Sequence, residues 1–222
     1  MKKTYDTFVF DLDGTLLDTL PDLVVLTNKA LRKAGLPPRT KDEILSFVGD
    51  GATALLRRSI PPSVDEAGVL RILETWKEMY PDYGDCLTKE FPGMTDLVRA
   101  LCARGMNVGV LSNKFDAGVR QLMDKHFPGM FQVARGEAPD IPRKPDPKGL
   151  LIVIDELGGV PDRTLYIGDS PNDIVTAHRI GALAVGVSWG YYRTEKLVEA
   201  GADAIVKEPS EILELFVQAS SQ

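Results

Sequence analysis

Seven residues capable of polar chemistry sit at the ends of short apolar runs or in stiff loops of this chain. "FVFDLDGT" (Phe8 to Thr15) ends in Asp11 and Asp13, with Gly14 directly after them. "NVGVLSN" ends in Ser112 and Asn113, and "TLYIGDSPND" carries Asp169 and Asp173. Lys144 lies in "PRKPDP", between Pro142 and Pro145. Side chains in an extended strand alternate faces, so Asp11 and Asp13 project the same way. Like charges that close repel unless a cation lies beside them. A hard divalent ion such as Mg²⁺, which takes carboxylates, a carbonyl and water as ligands, would answer that need. So would the ammonium of Lys144, held in place by a proline-stiffened loop.

Elements of two kinds must bring these residues together. After the first strand, "PDLVVLTNKALRKAG" puts Leu23, Leu26, Ala30, Leu31 and Ala34 at helical spacing and stops at Gly35. Capping-box patterns follow at Thr40 with Glu43 and at Ser63 with Glu66, so residues 20–83 read as helices only. Past "FPGM" (Phe91 to Met94) the rhythm changes. Helix "TDLVRALCARG" leads to strand "NVGVLSN", and helix "GVRQLMDKHF" to a weaker strand near Phe131 to Ala134. Helix "PKGLLIVIDELG" leads to "TLYIGD", and helix "NDIVTAHRIG" to "ALAVGVS". A last unit, "KLVEAGADAIV", precedes the helix-like "SEILELFVQA" and a polar "ASSQ" tail expected to fray. Strands alternating with helices specify an α/β fold with a parallel sheet covered on both faces. The expected division is a Rossmann-like core over 1–16 and 88–222, with a small α-helical insert over 17–87. Ligands of such sheets bind at the carboxyl ends of the strands, where all of the seven except Lys144 fall.

Composition removes several function classes. The chain is 44% hydrophobic and 26% charged, within the globular range. Its 26 Lys and Arg against 32 Asp and Glu give a net charge of −6, so no nucleic-acid partner is expected. No run reaches the ~18 apolar residues of a membrane span, and no apolar leader opens the chain, so a cytoplasmic location is expected without a membrane partner. Cys86 and Cys102 are then expected to be free thiols. His126 and His178, the only histidines, fall in or at the end of helices and support no histidine-based hydrolysis. Trp76 and Trp189 read as core or interface residues.

Four stretches in order, "DLDGT" (11–15), "LSN" (111–113), "KPDP" (144–147) and "GDSPND" (168–173), resemble the four motifs of the haloacid dehalogenase (HAD) superfamily of phosphohydrolases. The likeness spans nearly the whole chain, including a helical cap inserted after the first motif. It implies roles residue by residue. Asp11 would be the nucleophile that forms an aspartyl-phosphate, and Asp13 the acid/base that protonates the leaving alkoxide and then activates water. Mg²⁺ would be held by Asp11, Asp169 and the carbonyl of Asp13, with Asp173 supporting that shell or steadying Lys144. Gly14, Thr15, Ser112, Asn113 through its backbone, and Lys144 would bind the phosphate, Gly14 by leaving room beside it. Ser112 could instead cap the following helix. An acid at Asp13 fits oxygen leaving groups, hence phosphate esters or anhydrides.

The implied partner is a small-molecule phosphate ester. "FVGDGATALLRRS" (47–59) and "GADAIVKEPSEIL" resemble segments of phosphoglycolate phosphatases, although Asp50 stands where those enzymes usually carry asparagine. Gly49 and Gly51 flank Asp50 ahead of a helix, an arrangement that offers amides to an anion. Arg58 would then read the substrate carboxylate, unless it is a solvated arginine of the helix. The resulting expectation is Mg²⁺-dependent hydrolysis of 2-phosphoglycolate. A sugar-phosphate phosphatase, a pyrophosphatase and a β-phosphoglucomutase-like shuttle stay open beside it. A phospho-acceptor signalling receiver is disfavoured by the helical insert and by Asp13.

Overall fold

The computed structural model describes residues 4–216, so the "ASSQ" tail lies outside the described residues. The chain runs β1 (Thr7–Phe10), β2 (Leu17–Asp18), α1 (Leu20–Lys33), α2 (Lys41–Phe47), α3 (Gly51–Ser59), α4 (Glu66–Tyr83) and β3 (Lys89–Glu90). It continues α5 (Met94–Ala103), β4 (Asn107–Phe115), α6 (Asp116–His126), β5 (Val133–Glu137) and α7 (Lys148–Glu156). The last elements are β6 (Thr164–Gly168), α8 (Pro171–His178), β7 (Leu183–Val187), α9 (Thr194–Glu199), β8 (Ala204–Val206) and α10 (Ser210–Phe216).

Six strands form one parallel sheet in the order β5-β4-β1-β6-β7-β8. Strand alternation explains its two faces. Phe8 and Phe10 pair in register with Val108 and Val110 on one side and with Leu165 and Ile167 on the other. Together they pack against Leu97, Leu101, Val119, Leu122 and Ile212 of α5, α6 and α10. Val9, between the two phenylalanines, faces the opposite layer with Tyr166 of β6 and with Leu150, Val153, Ile174 and Leu197 of α7, α8 and α9. Both faces are dry, which is why these strands read as nearly continuous apolar runs. From β1 the chain builds outward first through β4 and β5, then through β6 to β8, so the connection reverses at the centre of the sheet. That reversal opens a crevice at the carboxyl ends of β1, β4 and β6.

Helices α1 to α4 enclose a cluster of their own, centred on Leu26, Leu31, Ile44, Leu56 and Trp76. The chain enters and leaves this unit through β2 and β3, which pair antiparallel, Leu17 with Glu90 and Asp18 with Lys89. Asp22 of α1, 1% exposed, fastens the returning segment: its carboxylate accepts from the amides of Cys86, Leu87 and Thr88 and from the Thr88 hydroxyl.

Local expectations hold with these corrections. The capping box at Thr40 and Glu43 forms, but α4 is capped by Asp65, which accepts from Gly68 N, and not by Ser63. Of the α1 stripe, Leu23, Leu26, Ala30 and Leu31 are buried, whereas Ala34 lies past the last turn and is exposed. β4 extends to Phe115, because β5 pairs with it beyond Asn113, and β5 itself begins at Val133. Consequently Ser112 lies inside the strand and caps no helix. Both cysteines are free and exposed, and no helix among the described residues is long and apolar enough to cross a membrane.

Candidate active site

The strand ends bring Asp11, Asp169 and Asp173 together, all buried, with one carboxylate oxygen from each within 4.8 Å of the others. Asp11 follows β1, Asp169 follows β6, and Asp173 sits in the first turn of α8. Lys144, 5% exposed, reaches into this group: Nζ is 2.7 Å from Asp11 Oδ1 and 2.7 Å from Asp173 Oδ1. Asp173 Oδ2 accepts from Ser170 N at 3.0 Å and Ser170 Oγ at 2.7 Å. Asp169 Oδ2 accepts from Tyr191 N at 2.7 Å, and its Oδ1 has only a long contact, 3.3 Å, with the Thr15 hydroxyl.

Three carboxylates against one ammonium is an unbalanced site. Burial pushes Asp11 up to about 7 despite Lys144 beside it, and burial drives Asp169 well above the usual carboxylate range. Asp11 Oδ1 makes its ion pair with Lys144 but receives no well-angled hydrogen bond. An under-satisfied buried oxygen among oxygen-only donors fits a hard divalent cation.

Asp13 has a separate environment. Its Oδ1 accepts from Lys114 Nζ at 2.9 Å and from the Thr19 hydroxyl. Thr19 N and Leu20 N in turn donate to the hydroxyl of Tyr191, which donates to Asp18 Oδ1 at 3.0 Å. Tyr191 therefore grips Asp169 with its backbone and the start of α1 with its side chain.

Above the acids a cleft runs between the sheet and the helical unit. Its floor is Asp11, Asp13, Ser112, Asn113, Lys144 and Asp169, and its far wall includes Leu23, Ala52, Leu55, Trp76 and Phe115. The 48–51 segment borders it, pinned by core side chains: Tyr192 Oη donates to Val48 O, Asn113 Nδ2 to Gly49 O and Arg143 Nη1 to Asp50 O. Gly49 and Gly51 take positive φ values of 114° and 80°. A Cβ on Gly51 would fall 2.9 Å from Asn113 O, so only glycine allows this close seating.

The residues singled out in the sequence divide into two groups. Asp11, Asp13, Ser112, Asn113, Lys144 and Asp169 line the cleft, and Asp173 stands directly behind Lys144. Ser112 Oγ accepts from Lys114 N, which leaves its own proton to donate. The Asn113 side chain is spent on Gly49 O, Lys144 O and Lys144 N, leaving its backbone for a ligand. Gly14, Thr15 and Arg58 are not brought into the lining. The amides of Gly14 and Thr15 close the turn onto Leu17 O and Leu12 O, and the Thr15 hydroxyl faces Asp169. A Cβ on Gly14 would lie 2.4 Å from Asp169 Oδ2, so the side chain it makes room for is Asp169. Arg58 is exposed, its guanidinium on Asp50 Oδ2 at 2.5 Å and Phe47 O at 3.1 Å.

Sequence reading missed Lys114, Thr19, Tyr191 and Tyr192. Lys114 directly follows Asn113 and shares the strand face of Ser112, a period-two signal that could have found it. The two tyrosines follow Gly190 in a loop with no periodicity to read. Both histidines lie away from the cleft, on Asp85 and Asp203. Trp76 and Trp189 are packed as expected, Trp76 also contributing to the cleft wall.

The chain has relatives among known proteins. The family model described as haloacid dehalogenase-like hydrolase matches residues 8–187. Phosphoglycolate phosphatase 1 of Pseudomonas aeruginosa is 30% identical over 220 residues, 96% of this chain and 80% of its own length. N-acetylmuramic acid 6-phosphate phosphatase of the same organism is 32% identical, over 95% of this chain and 94% of its own. A crystal structure from Lactobacillus delbrueckii subsp. bulgaricus, provisionally described as a phosphoglycolate phosphatase, superposes with a TM-score of 0.88. It is 32% identical over 97% of this chain and 100% of that one. The chain belongs to the haloacid dehalogenase-like hydrolase family.

Proposed function

We propose that this protein is a phosphatase that hydrolyses a small phosphate monoester through Asp11, with 2-phosphoglycolate as substrate. The observation that carries the reading is the convergence of Asp11, Asp13, Asp169 and Lys144 on one cleft floor. A carboxylate oxygen of Asp11 attacks phosphorus, and the bond to the leaving oxygen breaks as Asp13 gives that oxygen a proton. Asp13 then takes a proton from water, whose oxygen attacks phosphorus and releases Asp11 and inorganic phosphate. Ser112 Oγ, the Asn113 backbone and Lys144 hold the remaining phosphoryl oxygens during both displacements. Asp11, Asp169 and the Asp13 carbonyl would hold Mg²⁺, which when bound offsets charge on the transferring phosphoryl group. The insert over residues 17–87, which carries helices α1 to α4, acts as a cap that excludes water from the cleft.

Phosphoglycolate is favoured by the names of relatives about 30% identical and by the small cleft residues Gly49, Gly51 and Ala52. The relative named for a sugar phosphate supports a sugar-phosphate phosphatase as the second reading.

Phosphate release with Mg²⁺ should be measured across phosphoglycolate, N-acetylmuramic acid 6-phosphate, glucose 6-phosphate, pyrophosphate and an aryl phosphate. Preference for phosphoglycolate, lost on chelation and restored by Mg²⁺, is expected. Asp11→Asn should reduce turnover to background, and Asp13→Asn should lower kcat about 10²- to 10⁴-fold. Wild-type-like turnover by Asp11→Asn would end this mechanism. Transfer to a second sugar phosphate without accumulation of free phosphate would replace hydrolysis by a mutase reaction.

A further inference from the structure

We propose that Lys114 reads a carboxylate on the leaving group, so that the cleft selects esters whose carboxylate lies next to the ester-bearing carbon, the 2-phosphoryloxy carboxylates. This deepens the phosphatase reading above and rests on it. Lys114 is only 6% exposed, yet it lines the cleft. An ammonium carries three donors. Asp13 Oδ1 accepts from Lys114 Nζ at 2.9 Å and the Tyr80 hydroxyl lies beside it, which still leaves a donor of the ammonium unspent among the described residues. A buried cation short of acceptors is costly, and an anionic ligand would relieve that cost.

Its surroundings strengthen such a contact. Nζ lies 5.5 Å from the Tyr80 ring centroid, and Tyr80 packs against Phe115 and Trp76 with centroids 4.7 and 5.6 Å away. The buried Tyr80 hydroxyl lies beside this ammonium without a well-angled hydrogen bond, and burial pushes the phenol up to about 12. Low polarizability around a charge increases what each ionic hydrogen bond contributes.

Among the described residues, no other cation near the cleft is free to do this. Lys144 is shared between Asp11 and Asp173. Arg58 is held by Asp50 and Phe47, and Arg143 by Asp50 O and Glu137, both outside the lining. Lys114 also holds the carboxylate of Asp13, the group assigned to the leaving oxygen. A substrate carboxylate on the same ammonium must therefore sit close to that oxygen, which sets the adjacent-carbon geometry.

The test compares 2-phosphoglycolate with 2-hydroxyethyl phosphate, which replaces the carboxylate by a neutral alcohol. The readout is the ratio of their kcat/KM values, because any effect of the substitution on Asp13 enters both and cancels. Wild-type protein should favour phosphoglycolate, and Lys114→Met should shrink the ratio about tenfold to a hundredfold. Lys114→Gln, which keeps a donor for Asp13 but no charge, should do the same if the methionine variant does not fold. Arg58→Ala should leave the ratio as in wild type. Calorimetry on Asp11→Asn protein, with Mg²⁺ and each ester, supplies a binding readout independent of turnover. Tighter phosphoglycolate binding that disappears with Lys114→Met would uphold the assignment even if neither ester is hydrolysed, in which case the phosphatase reading alone fails. Equal use of both esters by wild type, or a preference that survives in both Lys114 variants, would overturn it.

Discussion

Lys144 Nζ and Asp173 Oδ1 lie 2.7 Å apart, both groups almost fully buried, and Asp11 takes the same ammonium at the same distance. Asp173 is itself locked by Ser170, whose amide and hydroxyl both donate to Oδ2. The start of α8 thus fixes a carboxylate, the carboxylate fixes an ammonium, and the ammonium fixes Asp11. Asp173 is within ligand distance of a shared cation with Asp11 and Asp169, but both its oxygens already have partners. Its geometry therefore matches steadying Lys144.

Asp173→Asn should lower kcat about tenfold to a hundredfold while the protein stays folded, because Lys144 then leans on Asp11 alone. Asp173→Ala should also destabilise by about 3–5 kcal/mol, since removing one partner leaves a buried charge uncompensated. Steady-state kinetics and urea unfolding read the two effects separately. A wild-type kcat in the asparagine variant would refute the positioning role.

Gly14 occupies φ +86°, and the space a Cβ would fill belongs to Asp169 Oδ2 and the Tyr191 ring. Gly14→Ala should cost about 1–3 kcal/mol in backbone strain. It should also displace Asp169, so the Mg²⁺ concentration for half-maximal activity should rise more than the loss of stability explains. Mg²⁺ titrations beside thermal melts check this. An unchanged Mg²⁺ requirement would mean that Asp169 can yield without consequence.

The sheet and most of the cleft floor were legible because they depend on local signals. Apolar runs with period two marked the strands, and polar residues at their ends marked the crevice, so Asp11, Ser112 and Asp169 could be named from spacing alone. Lys144 was legible through its proline-stiffened loop. Arg58 and Thr15 were less so, because their side chains answer to neighbours brought close only by folding. Asp50 takes the Arg58 guanidinium, and Asp169 takes the Thr15 hydroxyl. Asp22 shows the same limit. Nothing in "PDLVV" announces that an acid on a helix binds amides more than sixty residues onward.

That Asp22 contact makes a stability prediction. Its carboxylate satisfies three consecutive amides and the Thr88 hydroxyl while almost wholly buried. Asp22→Ala would leave those donors without an acceptor, each at about 1–3 kcal/mol unless water enters. A net loss of about 3–5 kcal/mol is expected in urea unfolding, with turnover per folded molecule largely kept. A loss below about 1 kcal/mol would show that the linker re-pairs by itself.

The last relationship concerns entry to the cleft. Three successive residues of the 48–50 segment are fastened by core side chains: Val48 O by Tyr192, Gly49 O by Asn113, and Asp50 by both Arg143 and Asn172. Asn172 Nδ2 donates to Asp50 Oδ1 at 3.1 Å, while Arg58 takes the other oxygen from within the helical unit. Asp50 therefore joins the two units at the rim of the cleft. A cap that opens to admit substrate, as proposed above, would break these contacts and remake them on closing. Because Arg143 and Asp50 are substantially exposed, each contact contributes little to overall stability. The double variant Arg143→Ala with Asn172→Ala should thus change the melting temperature by no more than a few degrees. KM should rise about threefold to tenfold, because part of the binding energy must then stabilise the closed state unaided. The effect should shrink at high salt, where the wild-type contacts are themselves screened. A double variant with wild-type KM at low salt would show that the 48–50 segment is held without these side chains, by the packing of α3 alone.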